Sequence, residues 1–135
     1  MTAAMENDND FKKFSTDTAD FWLDANGIIR RVIHVGADEN LDEAKKGLKF
    51  MLDISGGMKR PLLVDLRGMK SITREARQFL SGESSKHFTA VATIVDSPIT
   101  KMIGNFAMRI NPLGITVRIF SDESKALEWL MGQKK

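Results

Sequence analysis

The apolar positions of this chain fall into short runs, and two of these runs share one pattern. In residues 61–76 (PLLVDLRGMKSITREA) and 91–106 (VATIVDSPITKMIGNF), an apolar run ends in an aspartate, crosses a polar loop and continues with helical spacing. A continuous apolar run is typical of a strand buried on both faces, and a 3.6-residue repeat is typical of a helix that covers it. The two stretches therefore predict β–α units and a mainly parallel sheet.

An antiparallel hairpin is predicted before these units. Strand-like runs at 19–23 and 28–35 flank the sequence DANG, and Asn-Gly is a strong hairpin signal because both residues tolerate positive φ. On the second run, Arg31 interrupts an otherwise apolar face. The residues expected on that face are Ile29, Ile33 and Val35.

Four helices follow from the same reading. The first begins at Asn40, with Glu43 three residues later as in a capping box, and ends near Gly56. Gly47 lies beside its apolar face, and close contact with the sheet would explain a glycine there. The side chains expected to be buried are Leu41, Ala44, Leu48, Met51 and Leu52. The other helices are predicted at 73–82, 97–110 and 121–131, after strands at 61–66, 88–95 and 115–120.

The predicted fold class is therefore α/β, a mixed sheet of about five strands with about four helices. We expect residues 19–135 to form this single domain. Residues 1–18 are rich in Asn, Asp, Ser and Thr and are predicted to be a flexible tail, from which Phe11 and Phe14 could dock on the body.

Composition removes several classes of function. The chain has 135 residues and no cysteine, which excludes disulfides and thiolate chemistry and fits a reducing cytoplasm. Its net charge is only +2, without a dense basic stripe, so nucleic acid is not an expected partner. The acidic, polar start does not look like an export signal, and no apolar run is long enough for a membrane span.

The chain resembles a known superfamily. The strand end Val64-Asp65-Leu66 and the helix start after it resemble the STAS superfamily of anti-sigma-factor antagonists. The segments LVDLRGMKSITREAR, VDSPITKMIGNFAMRINP and FSDESKALEWL look like a small, uncharacterised bacterial STAS-like family, over roughly residues 21–130. The resemblance implies a STAS-like fold and a non-catalytic regulatory module with a protein partner.

The resemblance also implies a phosphorylation site. In phosphorylatable STAS proteins, an Asp-Ser-Ser-Gly-like motif opens the helix after this strand, and a partner kinase modifies its serine. The matching stretch here is SITRE, residues 71–75, which lacks the Asp-Ser pair and has Arg-Glu in place of Ser-Gly. Thr73, and after it Ser71, are the hydroxyls left to accept a phosphate. The structural alternative for Thr73 is a helix N-cap.

We expect the contact surface to combine the loop and helix start at 67–77 with the helix that begins at Ser97. That surface would bind a protein partner or a second copy of the chain. The residues expected to form it are Asp65, Arg67, Lys70, Arg74, Asp96, Met102, Ile103 and Phe106.

Two further hypotheses stay open. The helix at 97–110 carries an apolar stripe that could cover a small apolar ligand, and the related CRAL-TRIO proteins hold a lipid beneath a mobile helix. This carrier hypothesis predicts a cavity lined by Met102, Ile103 and Phe106.

The third hypothesis is an enzyme that uses Asp65 and Asp96, which both follow predicted strands. The structural alternative is that Asp96 caps a helix and Asp65 anchors its loop or pairs with Arg67. No catalytic set, metal site or cofactor is expected otherwise. His34 is placed on an edge strand and His87 in a loop, without zinc-helix spacing, and no Gly-x-Ser-x-Gly elbow is present.

Overall fold

In a computed structural model of the chain, the described residues are 12–109, 111 and 113–133. The strands within these ranges are β1 Phe14–Ser15, β2 Ala19–Leu23, β3 Ile29–Ile33, β4 Asp38–Glu39, β5 Arg60–Asp65, β6 Ser71–Ile72, β7 Phe88–Ile94 and β8 Thr116–Phe120. The helices are α1 Leu41–Ser55, α2 Arg74–His87, α3 Pro98–Arg109 and α4 Glu123–Gln133.

Six of the strands form one mixed sheet in the order β1-β2-β3-β5-β7-β8. The pairs β1–β2 and β2–β3 are antiparallel, whereas β3–β5, β5–β7 and β7–β8 are parallel. The short strands β4 and β6 form a separate parallel pair. The predicted α/β class, with an antiparallel hairpin followed by parallel strands, is therefore confirmed.

The additional strand comes from the segment before residue 19. In β1, Phe14 pairs with Phe21 of β2, and the Phe14 ring lies 5.0 Å from the ring of Phe50 on α1. The expected docking of Phe14 is thus observed, and the sheet begins before the predicted domain boundary. Most of the predicted tail, with Phe11, lies outside the described residues.

The turn of the β2–β3 hairpin is formed by the predicted residues of the sequence DANG. The Asp24 carboxylate accepts hydrogen bonds from the backbone N–H groups of Asn26 and Ile28, at 2.9 and 3.0 Å, and Gly27 has a φ of 79°. The prediction for Val35 is wrong, because β3 ends at Ile33 and the following turn leaves Val35 88% exposed.

Helices α1, α2 and α3 cover one face of the sheet, and α4 covers the other over β5, β7 and β8. The first face carries the larger apolar cluster, with Phe21, Leu62, Val91 and Ile103 among its members. Both tryptophans belong to the second face. Trp129 packs beside Phe120, at 5.7 Å between rings, while Trp22 lies between Lys13 and Arg30.

Helix α1 begins and ends at the predicted residues, but the Glu43 carboxylate accepts the Asp17 backbone N–H at 3.0 Å and does not complete the predicted capping box. The Asn40 side chain accepts the Glu43 backbone N–H at 2.9 Å, and Gly56 closes the helix with a φ of 67°. The predicted burial of Leu52 is wrong, since its side chain lies at the exposed edge of the helix, and Leu41 is only half-buried.

The glycine within α1 allows close contact, as expected. A Cβ atom added at Gly47 would lie only 2.7 Å from Cζ of Phe21, a ring that is 1% exposed. On α3, a Cβ added at Gly104 would lie 3.0 Å from Cδ1 of Ile119. Helix α1 therefore approaches the sheet more closely than a side chain would allow, whereas on α3 the end of the Ile119 side chain would have to give way slightly.

Helix α2 extends five residues beyond its predicted end at residue 82, because Gly82 does not interrupt it. Its last turns are supported by an ion pair between Glu83 and Lys86 at 3.0 Å and by a hydrogen bond between Glu83 and the His87 ring at 3.1 Å. His87 is accordingly the last helical residue and does not lie in a loop. None of the helices in the described ranges is both long and apolar enough to span a bilayer.

Candidate functional site

The start of α2 is held in place by the β4–β6 pair. The backbone N–H of Thr73 donates to the Glu39 carbonyl at 2.9 Å, immediately after β6. The Thr73 hydroxyl oxygen accepts the Ala76 backbone N–H at 3.2 Å, so the expected N-cap is present. Thr73 is exposed, whereas the Ser71 hydroxyl donates to the Asp38 carboxylate at 2.5 Å.

Asp65 and Arg67 form a closed pair on the α4 side of the sheet. The Arg67 guanidinium donates to both Asp65 carboxylate oxygens, at 2.9 and 2.7 Å, and the Arg67 backbone N–H adds a third bond at 3.0 Å. These hydrogen bonds raise the pKa of Arg67 above its ordinary value. Arg67 also lies 3.6 Å from Glu123 at the start of α4. Asp65 therefore anchors its loop, as the structural alternative predicted.

Asp96 is engaged separately, at the start of α3. Its backbone N–H donates to the Thr100 hydroxyl at 3.0 Å, and its carboxylate accepts from that hydroxyl at 3.4 Å. The side chain that accepts the Thr100 backbone N–H is Ser97, so the cap of α3 is Ser97 and not Asp96. Within the described ranges, no three His, Cys, Asp or Glu residues converge as metal ligands. The geometry gives no support to a shared acid–base or metal site at Asp65 and Asp96.

The surface between α2 and α3 includes three residues of the predicted contact surface, Arg74, Met102 and Phe106, together with Arg77 and Ile99. Both helices lead back to the start of the next parallel strand, so they run in the same direction. They touch where the Arg77 guanidinium lies 5.0 Å from the centre of the Phe106 ring. Arg74 and Met102 lie one turn nearer the helix starts, and Ile99 precedes Met102. We call this surface the α2–α3 face: Arg74, Arg77, Ile99, Met102 and Phe106.

Two apolar side chains of the α2–α3 face are exposed to solvent. Ile99 is 40% exposed and Met102 is 48% exposed, although α3 buries Ile103 and Thr100 on its other side. The predicted apolar stripe is thus divided between core and solvent. Lys70 is also exposed, in the loop that precedes β6.

A cavity of about 70 Å³ lies beneath this face, between α1, α2, α3 and the sheet. Its apolar lining includes Ile103 and Phe106, as the carrier hypothesis predicted, but Met102 does not contribute to it. The other buried apolar side chains that line it are Leu48, Met51, Leu62, Val64, Leu66, Phe88 and Val91.

The cavity also has polar groups on two opposite walls. Arg31, Val64 and Thr93 are paired across neighbouring strands, which places Arg31 and Thr93 on the sheet side. Arg77 and Ser81, four residues apart on α2, line the opposite wall. Arg31 is 5% exposed and forms a buried ion pair with Glu39, which also accepts the Thr18 hydroxyl at 2.7 Å.

Several of these residues are not identified by the sequence reading. Arg31 is recognised there only as an interruption of an apolar face, although a charged residue at an inward strand position signals a buried partner. That partner, Glu39, lies in a two-residue strand without any pattern. Arg77 and Ser81 are four residues apart and share one helix face with apolar neighbours. This spacing is the feature of the sequence that could have predicted polar side chains on the inner face of α2.

The order of strands and the placement of the helices define a SpoIIAA-like, or STAS-like, domain. The structure is similar to that of an uncharacterized protein of the DUF3478 family with a SpoIIAA-like fold from Shewanella loihica PV-4. The TM-score is 0.56 at 17% sequence identity, over 89% of this chain and 91% of that one. At this identity the likeness concerns the fold alone.

The chain itself belongs to the family described as a domain of unknown function, DUF7793, which matches residues 21–134. No curated protein matches it. The predicted STAS-like fold is confirmed, and the family of the chain is an uncharacterised one, as predicted.

Proposed function

We propose that this chain is a non-catalytic regulatory module of the cytoplasm that binds another protein through its α2–α3 face. The observation that carries the proposal is the exposure of Ile99 and Met102 on a helix whose other side is buried. Aligned apolar side chains in solvent are typical of a helix that receives a partner. The SpoIIAA-like fold fits such a role.

Charge indicates the kind of partner. Arg74 is exposed and Arg77 is half-buried beside Phe106, so the apolar part of the face has a basic border. A complementary surface combines acidic and apolar side chains. A second copy of the chain would bring two basic borders together, which favours a different protein as the partner.

A site-specific cross-linking experiment tests this proposal. A photo-reactive amino acid is placed at residue 102 and, as a control, at residue 131, because Met131 is 41% exposed on α4. We expect cross-links to another polypeptide from residue 102 alone, lost when Arg74→Glu is added. Cross-links to the same chain would indicate a homodimer. Equal yields from residues 102 and 131 would rule out the α2–α3 face as the binding surface.

Phosphorylation of Thr73 is a dependent part of the proposal. A phosphate there would lie at the positive end of α2, beside Arg74, where free N–H groups and the helix dipole favour an anion. Ser71 is the weaker candidate because its hydroxyl is bonded to Asp38, whose carboxylate would repel a phosphate.

Incubation with serine/threonine kinases from the source organism should add one phosphate to the wild-type chain and to Thr73→Ser, and none to Thr73→Ala. Mass spectrometry of the intact chain measures the addition. Because Thr73 is also the N-cap, Thr73→Ala should lower the free energy of unfolding by about 1 kcal/mol, while Thr73→Ser should change it little. Equal labelling of wild type and Thr73→Ala would place the site elsewhere.

A further inference from the structure

The cavity beneath the α2–α3 face is lined by Arg77, whose side chain has an unmet hydrogen-bond donor. The Nε atom of Arg77 is buried and has no hydrogen-bond partner among the described residues. Arg77 also forms no ion pair within the described ranges, whereas Arg31 on the opposite wall is neutralised by Glu39. A buried donor on a charged group costs free energy when it is unmet, so its position indicates a missing acceptor.

Two hydroxyl groups that line the cavity also lack hydrogen bonds within the described ranges. The hydroxyls of Ser81 and Thr93 line the cavity and form no hydrogen bond with the described residues, although the two side chains are only 7% and 4% exposed. Free donors therefore come from both the helix wall and the sheet wall. Three other polar residues line the cavity, but each already has a partner: Arg31 pairs with Glu39, Ser84 donates to the Leu80 carbonyl and Asn111 is bonded to the Ile115 backbone. The remaining side chains of the lining are aliphatic or aromatic, which does not suit a small inorganic anion such as phosphate.

Size limits the ligand further. The cavity measures about 70 Å³, against roughly 150 Å³ for an apolar cavity that holds benzene. It has room for a few carbon atoms and not for a long acyl chain. Arg77 and Phe106 line the cavity and are themselves half-buried, so the charged end of a ligand on Arg77 would lie toward the surface.

We propose that the cavity binds a short-chain monocarboxylate, with its carboxylate on Arg77 and its alkyl group against Val91 and Ile103. Arg77 supplies a charge-assisted hydrogen bond from Nε, and the hydroxyls of Ser81 and Thr93 are free to complete the contacts of the carboxylate. The site shares Arg77 and Phe106 with the α2–α3 face, but carboxylate binding needs no protein partner and is measured on the chain alone.

Amide chemical shifts of the ¹⁵N-labelled chain, titrated with sodium butyrate and with butyramide at constant ionic strength, test the proposal. Butyrate should shift residues around the cavity, and butyramide should bind about tenfold more weakly because it lacks the charge. Octanoate should bind no better than butyrate, because its chain exceeds the cavity. Similar Kd values for butyrate and butyramide, or no saturable shift up to about 50 mM butyrate, would overturn the proposal.

Two matched variants locate the carboxylate. Arg77→Gln should weaken butyrate binding about tenfold, whereas Arg74→Gln, the same charge change at an exposed position of α2, should leave it within about twofold. Equal losses of butyrate affinity in the two variants would show that only the overall positive charge matters, and would contradict a carboxylate site at Arg77. Should Arg77→Gln fail to fold, the comparison of butyrate with butyramide on the wild-type chain still tests whether the site recognises a carboxylate. Much tighter binding of octanoate than of butyrate would contradict the short-chain ligand and indicate a lipid.

Discussion

Replacing Glu39 with alanine is expected to lower the free energy of unfolding by about 3–5 kcal/mol. Glu39 is 2% exposed and neutralises Arg31, which is 5% exposed, while it also accepts the Thr18 hydroxyl. Its removal leaves the Arg31 charge buried without a partner. Urea denaturation followed by circular dichroism measures the change.

An exposed ion pair provides the control for Glu39. Lys86 lies 3.0 Å from Glu83, with the Lys86 side chain 56% exposed, so Lys86→Ala should cost less than about 1 kcal/mol. A double variant, Arg31→Met with Glu39→Leu, should be more stable than Glu39→Ala, because no charge then remains buried. A Glu39→Ala cost no larger than that of Lys86→Ala would show that the buried pair adds little to stability.

The second large effect is expected at Gly47. Alanine there places a methyl group 2.7 Å from Cζ of Phe21, and this ring cannot move away easily because it is buried and lies beside Phe50. Overpacking of this kind costs about 1–3 kcal/mol, which exceeds the gain of about 1 kcal/mol in helix propensity. Gly47→Ala should therefore lower the thermal midpoint of unfolding.

Gly82 supplies the matched control, since it also lies inside a helix but has no atom within 4 Å of an added Cβ. Gly82→Ala should raise the free energy of unfolding by up to about 1 kcal/mol through helix propensity alone. The two alanine substitutions are therefore expected to have opposite signs. If Gly47→Ala were stabilising as well, the close approach of α1 to Phe21 would be wrong.

The elements predicted correctly from the sequence are those with short-range signals. The turn DANG, the cap at Asn40 and the apolar runs of β5 and β7 each determine structure within a few residues, and the parallel arrangement follows from the β–α order. Strands β4 and β6 could not be predicted, because two residues carry no periodicity. The predicted end of α2 at residue 82 is wrong because the helix continues through Gly82, and an isolated glycine is tolerated within a helix.

The candidate site was predictable in part. The apolar spacing of α3 predicts that Ile103 and Phe106 line a cavity, and both side chains line the cavity in the structure. Met102 was assigned to the same cavity, but spacing alone does not tell which edge of a stripe faces solvent. The pairing of Arg31 with Glu39 depends on residues from two elements that only the folded chain brings together.

The placement of the two tryptophans determines what spectroscopy can observe. Trp22 and Trp129 both lie on the α4 side of the sheet, while the cavity and the α2–α3 face lie on the other side. Neither tryptophan therefore lies beside the cavity or the α2–α3 face, the two surfaces proposed to bind ligands. A change in emission on addition of a ligand would report a displacement transmitted through the sheet itself, and single-tryptophan variants would show whether the hairpin or α4 receives it.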